Sequence, residues 1–388
     1  MNNVITGMKL SKPKIWLNTL GDCWNTVWAE DDKLYAVADD CAGVADSDND
    51  IADLIDNEKD IISNINSPPW ANFAVNELWW NEVGQIRGTT INRMIEYGNA
   101  GIITPKGCSD GCCWKAMGIT SVDNVLYITV GRHDYGSYSG DYKFRQKSEN
   151  AIIIKSTDSG KTWTPSANDN YRSPMFKGGK FGTPFFIHYG KAGTETVHNS
   201  NLYVYAVSNN GFWDNGDHMR LGRVLKTKIG DLCPFDWEYY VSGDGMTDEN
   251  WTKNINESSL ILKEPGKCSM TGATYIEGLG RYIMIQWYYT SGSGQSNEAA
   301  ANNGLLNPGQ ETTWDFYESP YPWGEWRKFH SHTFNPLGAY NPCIVTKSIR
   351  DGGTAFTVFT NGNFHIGQNR GVDCLYRLHS VECEIILG

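Results

Sequence analysis

The chain is short of the features that announce the commonest protein classes. Lys and Arg number 33 against 44 Asp and Glu, for a net charge of −11. That balance excludes a protein whose main business is gripping nucleic acid through a basic surface. No apolar run approaches the roughly 18 residues needed to span a bilayer. The opening MNNVITGMKLSKPK has no apolar stretch fit for a secretory leader. Phosphate-binding loops, serine nucleophile elbows and dinucleotide glycine patterns are absent. The ten cysteines (23, 41, 108, 112, 113, 233, 268, 343, 374 and 383) show no zinc-type pairing. Helical periodicity is scarce, and Asp50 to Ile65 (DIADLIDNEKDIISNI) is the one stretch that carries it.

What is abundant points elsewhere. Fifteen Trp and 41 Gly, with 13 % aromatic and 20 % charged residues, describe a folded, turn-rich β chain with more aromatic surface than a core needs. One pattern recurs: a turn, then a bulky apolar strand. It reads DDKLYAVADD from Asp31, VDNVLYITVGRHD from Val122 and NSNLYVYAVSNNG from Asn199. It returns as GLGRYIMIQWYY from Gly278 and GGTAFTVFTNGN from Gly352. A shorter strand precedes each copy: GDCWNTVWA, CCWKAMGITSV, FGTPFFIHYG, KCSMTGATYI and YNPCIVTKSI. Third and fourth strands follow in the middle copies, ending near Trp163, Trp237 and Trp326. Units of four strands repeated about every 78 residues predict a five-bladed β-propeller, an all-β single domain that hides its sheet edges by closing into a ring. The blades are expected at about 15–110, 111–180, 181–265, 266–338 and 339–388, with the helical stretch inserted in the first.

Ser156 to Trp163 (STDSGKTW) matches an Asp-box, S-x-D-x-G-x-T-W. Asp158 is expected to bind amides of its own hairpin, Gly160 to supply a positive φ, and Trp163 to pack between sheets. Together with GDCWNTVWAEDDKLYAVADD, CCWKAMGITSVDNVLY, RHDYG, SNNGFWDNGDHMRLGRV, GKCSMTGATYIEGLGRYIMIQWYY and YESPYPWGEW, this turn resembles a sialidase-like family of bacterial and fungal proteins related to endo-D-arabinanases. The resemblance runs from about Asp22 to the C-terminus and implies a propeller with a glycan substrate. Cys23 beside Asp22, and the helical insertion, depart from the family pattern.

In a propeller the innermost strands line an axial channel, and loops at one end build the pocket. The five short strands nominate Asp22 and Trp24, Trp114 and Lys115, Thr183, Lys267 and Ser269, and Tyr340 and Asn341. Asp22 is the only carboxylate among them and the first choice for a catalytic or anchoring group, with pairing to Lys115 or Lys267 as the structural alternative. Glycoside hydrolysis needs two carboxyl groups about 5 Å or roughly 6.5–9.5 Å apart. Asp40, Asp134 and Asp214 are the available partners of Asp22, and Phe212 and Trp213 would desolvate Asp214 toward general-acid service. Arg132, His133 and Tyr135, with Lys115, Arg145 and Lys267, supply instead the cations and proton carriers of a uronate lyase. A glycan-binding propeller without catalysis is the third reading. Trp79-Trp80, Trp287 to Tyr289 and Tyr321 to Trp323 are candidate sugar platforms.

No metal ligand is nominated. Asp46-Ser-Asp-Asn-Asp50 begins like a calcium loop but lacks the glycine and terminal glutamate, so a structural calcium is the one cofactor entertained. The sequons at Asn250 and Asn256, with the cysteine count, favour an extracellular, disulfide-bearing monomer over a cytosolic one.

Overall fold

The computed structural model describes residues 4–47, 71–94, 112–134, 146–165, 174–290, 311–334, 338–362 and 377–388. The helix-like stretch at 50–65 lies outside them, as do Asp48 and Asp50 of the calcium-like run. Among the described residues the α-helix content is one turn, α1 (Lys226–Ile229). No described helix is long and apolar enough to cross a membrane.

The rest is strand. The chain begins with β1 (Ile5–Leu10) and β2 (Lys14–Ile15). An antiparallel sheet follows, running in order through β3 (Thr19–Trp28), β4 (Leu34–Val44), β5 (Ala71–Trp80) and β6 (Ile86–Met94). A second contains β7 (Cys112–Val122), β8 (Val125–Asp134), β9 (Lys147–Ser156) and β10 (Thr164–Pro165). The largest sheet joins two such runs. One is β11 (Phe185–Tyr189), β12 (Tyr203–Asn209), β13 (Gly216–Leu225), β14 (Glu238–Tyr240) and β15 (Trp251–Thr252), with β16 (Leu262–Cys268) folded back on β13. The other is β17 (Ala273–Ile276), β18 (Arg281–Tyr289), β19 (Thr312–Ser319) and β20 (Arg327–Phe334). The last sheet has β21 (Tyr340–Ile344), β22 (Ala355–Asn361) and β23 (Leu378–Leu387), and its outer strand is β1, with Ile5 opposite Leu387 and Leu10 opposite Cys383.

The first strand of each run faces its neighbours in turn. β3 meets β7, β7 meets β11, β11 pairs in parallel with β17, and β21 meets both β18 and β3. Strands stacked between sheets are enclosed on both faces, and every residue of β3 but the last is buried. The β7–β8 turn shows the local logic: Asp123 and Asn124 hold φ of 52° and 61°, the left-handed pair of a tight hairpin.

The hairpin at 156–163 is built from its own side chains. Asp158 Oδ1 accepts the Thr162 amide at 2.9 Å, Ser156 Oγ accepts the Gly160 amide at 2.8 Å, and Gly160 has φ 87°. Trp163 Nε1 donates to Gly160 O.

Two expectations are corrected here. Lys267 is not on an innermost strand: β16 pairs with β13, with Cys268 opposite Gly216, and the inner strand starts only at Ala273. The apparent single strand breaks between them, where Gly272 approaches so closely that a Cβ would meet Phe186 O at 2.9 Å. The expected disulfides are not seen among the described residues: Cys23, Cys41, Cys233, Cys268, Cys343 and Cys383 are free thiols. All but Cys233 are buried, where a thiol serves as a small apolar side chain.

Candidate active site

The β3–β4 hairpin places Asp22 directly opposite Asp39. Register shifts on both sides of Asp22 bulge the strand, a device that re-aims side chains beside functional sites. Gly21 makes the bulge possible. Its φ is 136°, and a Cβ there would lie 2.2 Å from Cys41 Cβ. Cys23 and Asp40 follow with φ of 53° and 37°, backbone states that cost energy in a non-glycine residue.

Neighbouring strands hold what the hairpin presents. Asp22, 5 % exposed, accepts the Tyr340 hydroxyl at 2.7 Å. Asp39 Oδ1 accepts the Ala116 amide at 2.9 Å, and Asn361 Oδ1 accepts the Cys23 amide at 2.9 Å. Lys115, 2 % exposed, forms an ion pair with Asp40. One donor atom each from Asp22, Cys23 and Asp39 lies within 4.8 Å of the other two.

These charges share a dry site and shift one another. Burial pushes the Asp39 carboxyl well above its ordinary range; Lys115 opposes this, while Asp22 and Asp40 reinforce it. Burial works against the Lys115 ammonium, yet Asp40, Cys113, Asp39 and Asp22 together outweigh it and raise its pKa. The Cys23 thiol is raised first by burial, then by Asp22 and Asp39, which keeps its proton in place.

A second group comes from β8 and the loop after β12. Arg132 and His133 point to opposite faces, as alternation along a strand requires. The Arg132 guanidinium covers the Trp114 ring at 4.3 Å. His133 Nε2 lies 2.9 Å from Gln146 Oε1, and its ring meets Trp213 edge-on at 5.0 Å. Asp214 follows Trp213 and is buried. Its place is set by Asn215, whose side chain binds the Tyr289 amide and carbonyl, both at 2.9 Å, while Ser269 Oγ accepts the Asn215 amide at 2.8 Å. Asn209 Nδ2 clamps the same loop by donating to Phe212 O and Cys268 O at 2.7 and 2.9 Å. Asn209 and Asn361 close corresponding strands of their runs, and each ties the next inner segment down.

Other nominated residues are placed differently. Trp24 is wholly buried, donates Nε1 to Gly21 O at 3.0 Å and packs with Trp16 and Phe359, so it offers no face to a sugar. Trp287 is equally enclosed, whereas Tyr321 is exposed and stacks on Trp323 at 5.7 Å. Lys267 lies over the Tyr288 ring at 5.7 Å. Asn341, on β21 with φ 48°, is buried. Asp134 is exposed, and Tyr135 and Arg145 lie outside the described residues. Asn215 and Gln146 escaped notice in the sequence, because asparagine and glutamine in loops read equally well as solvated turns. Along the same inner strands a narrow cavity continues, lined among others by Asn25, Gly118, Phe186, His188, Thr274 and Cys343.

His133 has a measurable signature. Burial, and secondarily Lys115, lower its pKa from 6.5 to about 3, against a partial lift from Gln146. Below pH 6.5 the unfolded chain takes up a proton there that the folded chain refuses, so stability falls as pH drops toward 3. His133→Gln should remove about 2–4 kcal/mol of that acid sensitivity. Urea midpoints of variant and parent across this window measure it, and parallel curves would place the ring elsewhere than in a dry site.

No protein-family model matches the chain, and no curated protein sequence matches it. Likeness appears in three dimensions. A candidate hydrolase from Bacteroides ovatus ATCC 8483 aligns over 96 % of this chain and 87 % of its own, with TM-score 0.52 and 16 % identity. An endo-arabinase from Bacteroides thetaiotaomicron VPI-5482 aligns over 97 % and 99 %, with TM-score 0.45 and 9 % identity. A xylan β-1,4-xylosidase from Bacillus halodurans C-125 aligns over 96 % of this chain with TM-score 0.45 and 10 % identity; the chain spans 54 % of that enzyme. At such identities the likeness to the Bacteroides ovatus protein is one of fold.

Proposed function

We propose that this chain is a glycoside hydrolase built on a five-bladed β-propeller, with its site at one end of the ring axis. The blade count rests on the five successive strand runs, the last completed by β1. Closing the ring with a strand from the opposite terminus leaves no gap between first and last blades. The domain is then a single unit, its blades near the divisions expected from the repeat except that residues 5–10 belong to the last.

The observation that carries the reading is the convergence of Asp22, Asp39 and Asp40 with Lys115 at the start of the inner strands, with Asp214 clamped on a separate loop. Carboxyl groups held in unlike environments are what acid–base cleavage of a glycosidic bond requires. Asp22, oriented by Tyr340, provides the anionic side. Asp214 beside Trp213 provides the proton to the leaving oxygen. Asp40 and Lys115 fix the charge between them. The cations here are engaged, Lys115 with Asp40 and Arg132 with Trp114, which favours a neutral glycan over a uronate. His133, tied to Gln146 and pressed on Trp213, is poorly placed to abstract a substrate proton, so the lyase reading loses its principal base.

A panel of arabinans, galactans and uronate-rich polymers tests this, with products followed by chromatography and ultraviolet absorbance. New reducing ends without the absorbance of an unsaturated sugar support the hydrolase. Absorbing products replace it with the lyase, and binding without cleavage replaces it with a lectin.

A further inference from the structure

We propose that the Asp22, Cys23 and Asp39 cluster is a binding site for a thiophilic divalent cation, zinc being the natural occupant. A thiol with two carboxylates in mutual reach is an unusual thing to enclose, and all three side chains are buried. Tetrahedral zinc takes sulfur at about 2.3 Å and carboxylate oxygen at about 2.0–2.2 Å. Ligand atoms within 4.8 Å of one another need only small side-chain adjustments to reach those bonds.

A separate observation supplies the fourth position. Asn341, on the neighbouring inner strand, is 1 % exposed, and neither its Oδ1 nor its Nδ2 finds a hydrogen-bond partner among the described residues. The Cys23 thiol, a weak hydrogen-bonding group, lies within reach of this amide without completing a well-formed bond. A buried amide with no well-formed hydrogen bond costs energy that a ligand would recover. Asp39 Oδ2 is in the same condition, while Oδ1 is held by Ala116. The surroundings resemble an outer shell: Tyr340 orients Asp22, Ala116 orients Asp39, and Asn361 fixes the Cys23 backbone. One sulfur ligand selects against calcium and magnesium, which take oxygen. On binding, the Cys23 thiol gives its proton to solvent and the thiolate bonds the metal.

This inference shares Asp22 with the hydrolase reading, but it concerns a resident ion and is tested without substrate. The purified chain is stripped with a chelator, then titrated with Zn²⁺ and, separately, with Co²⁺. One equivalent of zinc per chain is expected, with the thermal midpoint raised by about 4 °C at saturation. The Co²⁺ form is expected to show tetrahedral d–d bands and a thiolate-to-cobalt charge-transfer band. Cys23→Ser should abolish that charge-transfer band and weaken zinc binding at least about 10-fold. Asn341→Asp, which supplies an oxygen at the same place, should retain both metals. Failure of the parent chain to bind either metal would overturn the proposal. So would a charge-transfer band that survives in Cys23→Ser, since the sulfur would then be another cysteine. Either failure leaves the hydrolase reading standing, and metal binding without glycan cleavage leaves the site standing.

Discussion

Asp22→Asn is expected to lower kcat on a cleaved glycan by about 10²–10⁴-fold, the usual worth of a positioned acid–base group. KM and the unfolding midpoint should change little. The physical reason lies in the contacts: asparagine has the shape of aspartate, and the Tyr340 hydroxyl that donates to Asp22 at 2.7 Å can donate equally to an amide oxygen. What disappears is the negative charge and the ability to take a proton. Asp214→Asn supplies the complementary result. A lost general acid matters most for poor leaving groups, so its defect should shrink on an activated aryl glycoside, whereas that of Asp22→Asn should not. Because Asp22 is also a proposed metal ligand, zinc content is measured on the same samples. An Asp22→Asn variant that keeps more than about a tenth of the parent kcat would remove this residue from the proposed chemistry.

Lys115→Met should be the most destabilising substitution at the site, at about 3–5 kcal/mol, because it leaves buried carboxylates without their cation. The side chain is 2 % exposed, pairs with Asp40, and draws its raised pKa from Asp40, Cys113, Asp39 and Asp22 against the cost of burial. The direction of the pH dependence follows. A lysine whose folded pKa exceeds its unfolded one contributes fully below the unfolded value and loses that contribution only as pH rises through the folded one. At neutral pH the whole contribution is therefore present in the parent and missing in the variant. Acid protonates the carboxylates and should narrow the difference. Urea unfolding at about pH 5 and pH 8 reads both effects. A penalty under about 1 kcal/mol at neutral pH would mean that water reaches the cluster and screens it.

Parts of this site were legible before any coordinates. Asp22 stood out as the lone carboxylate on the short strands, and Asp40, Lys115 and Asn341 were named with it. What could not be read was their company. Asp39 and Asp40 are adjacent, so alternation along a strand sends them to different sides; which one faces Asp22 depends on the bulge around Gly21 and Cys23. Trp24 was nominated with Asp22 for the channel because tryptophan on an inner strand serves core and ligand alike. Its burial beside Trp16 and Phe359 is a matter of what packs behind it.

The chain's local chemistry by itself determined the strands, their turns and their recurrence. Alternating apolar residues, left-handed Asp and Asn in the β7–β8 hairpin, and the Ser156 to Trp163 turn all act over a few residues, and such preferences are written into short segments. Tertiary structure alone decided the rest. The pairing of Ile5 with Leu387 and the hydrogen bond from Tyr340 to Asp22 join residues more than 300 positions apart. The division of Lys267 from the inner strand turned on how closely Gly272 approaches Phe186. Contacts of that span form only when the ring closes, and no local periodicity encodes which side chains closure will bring together.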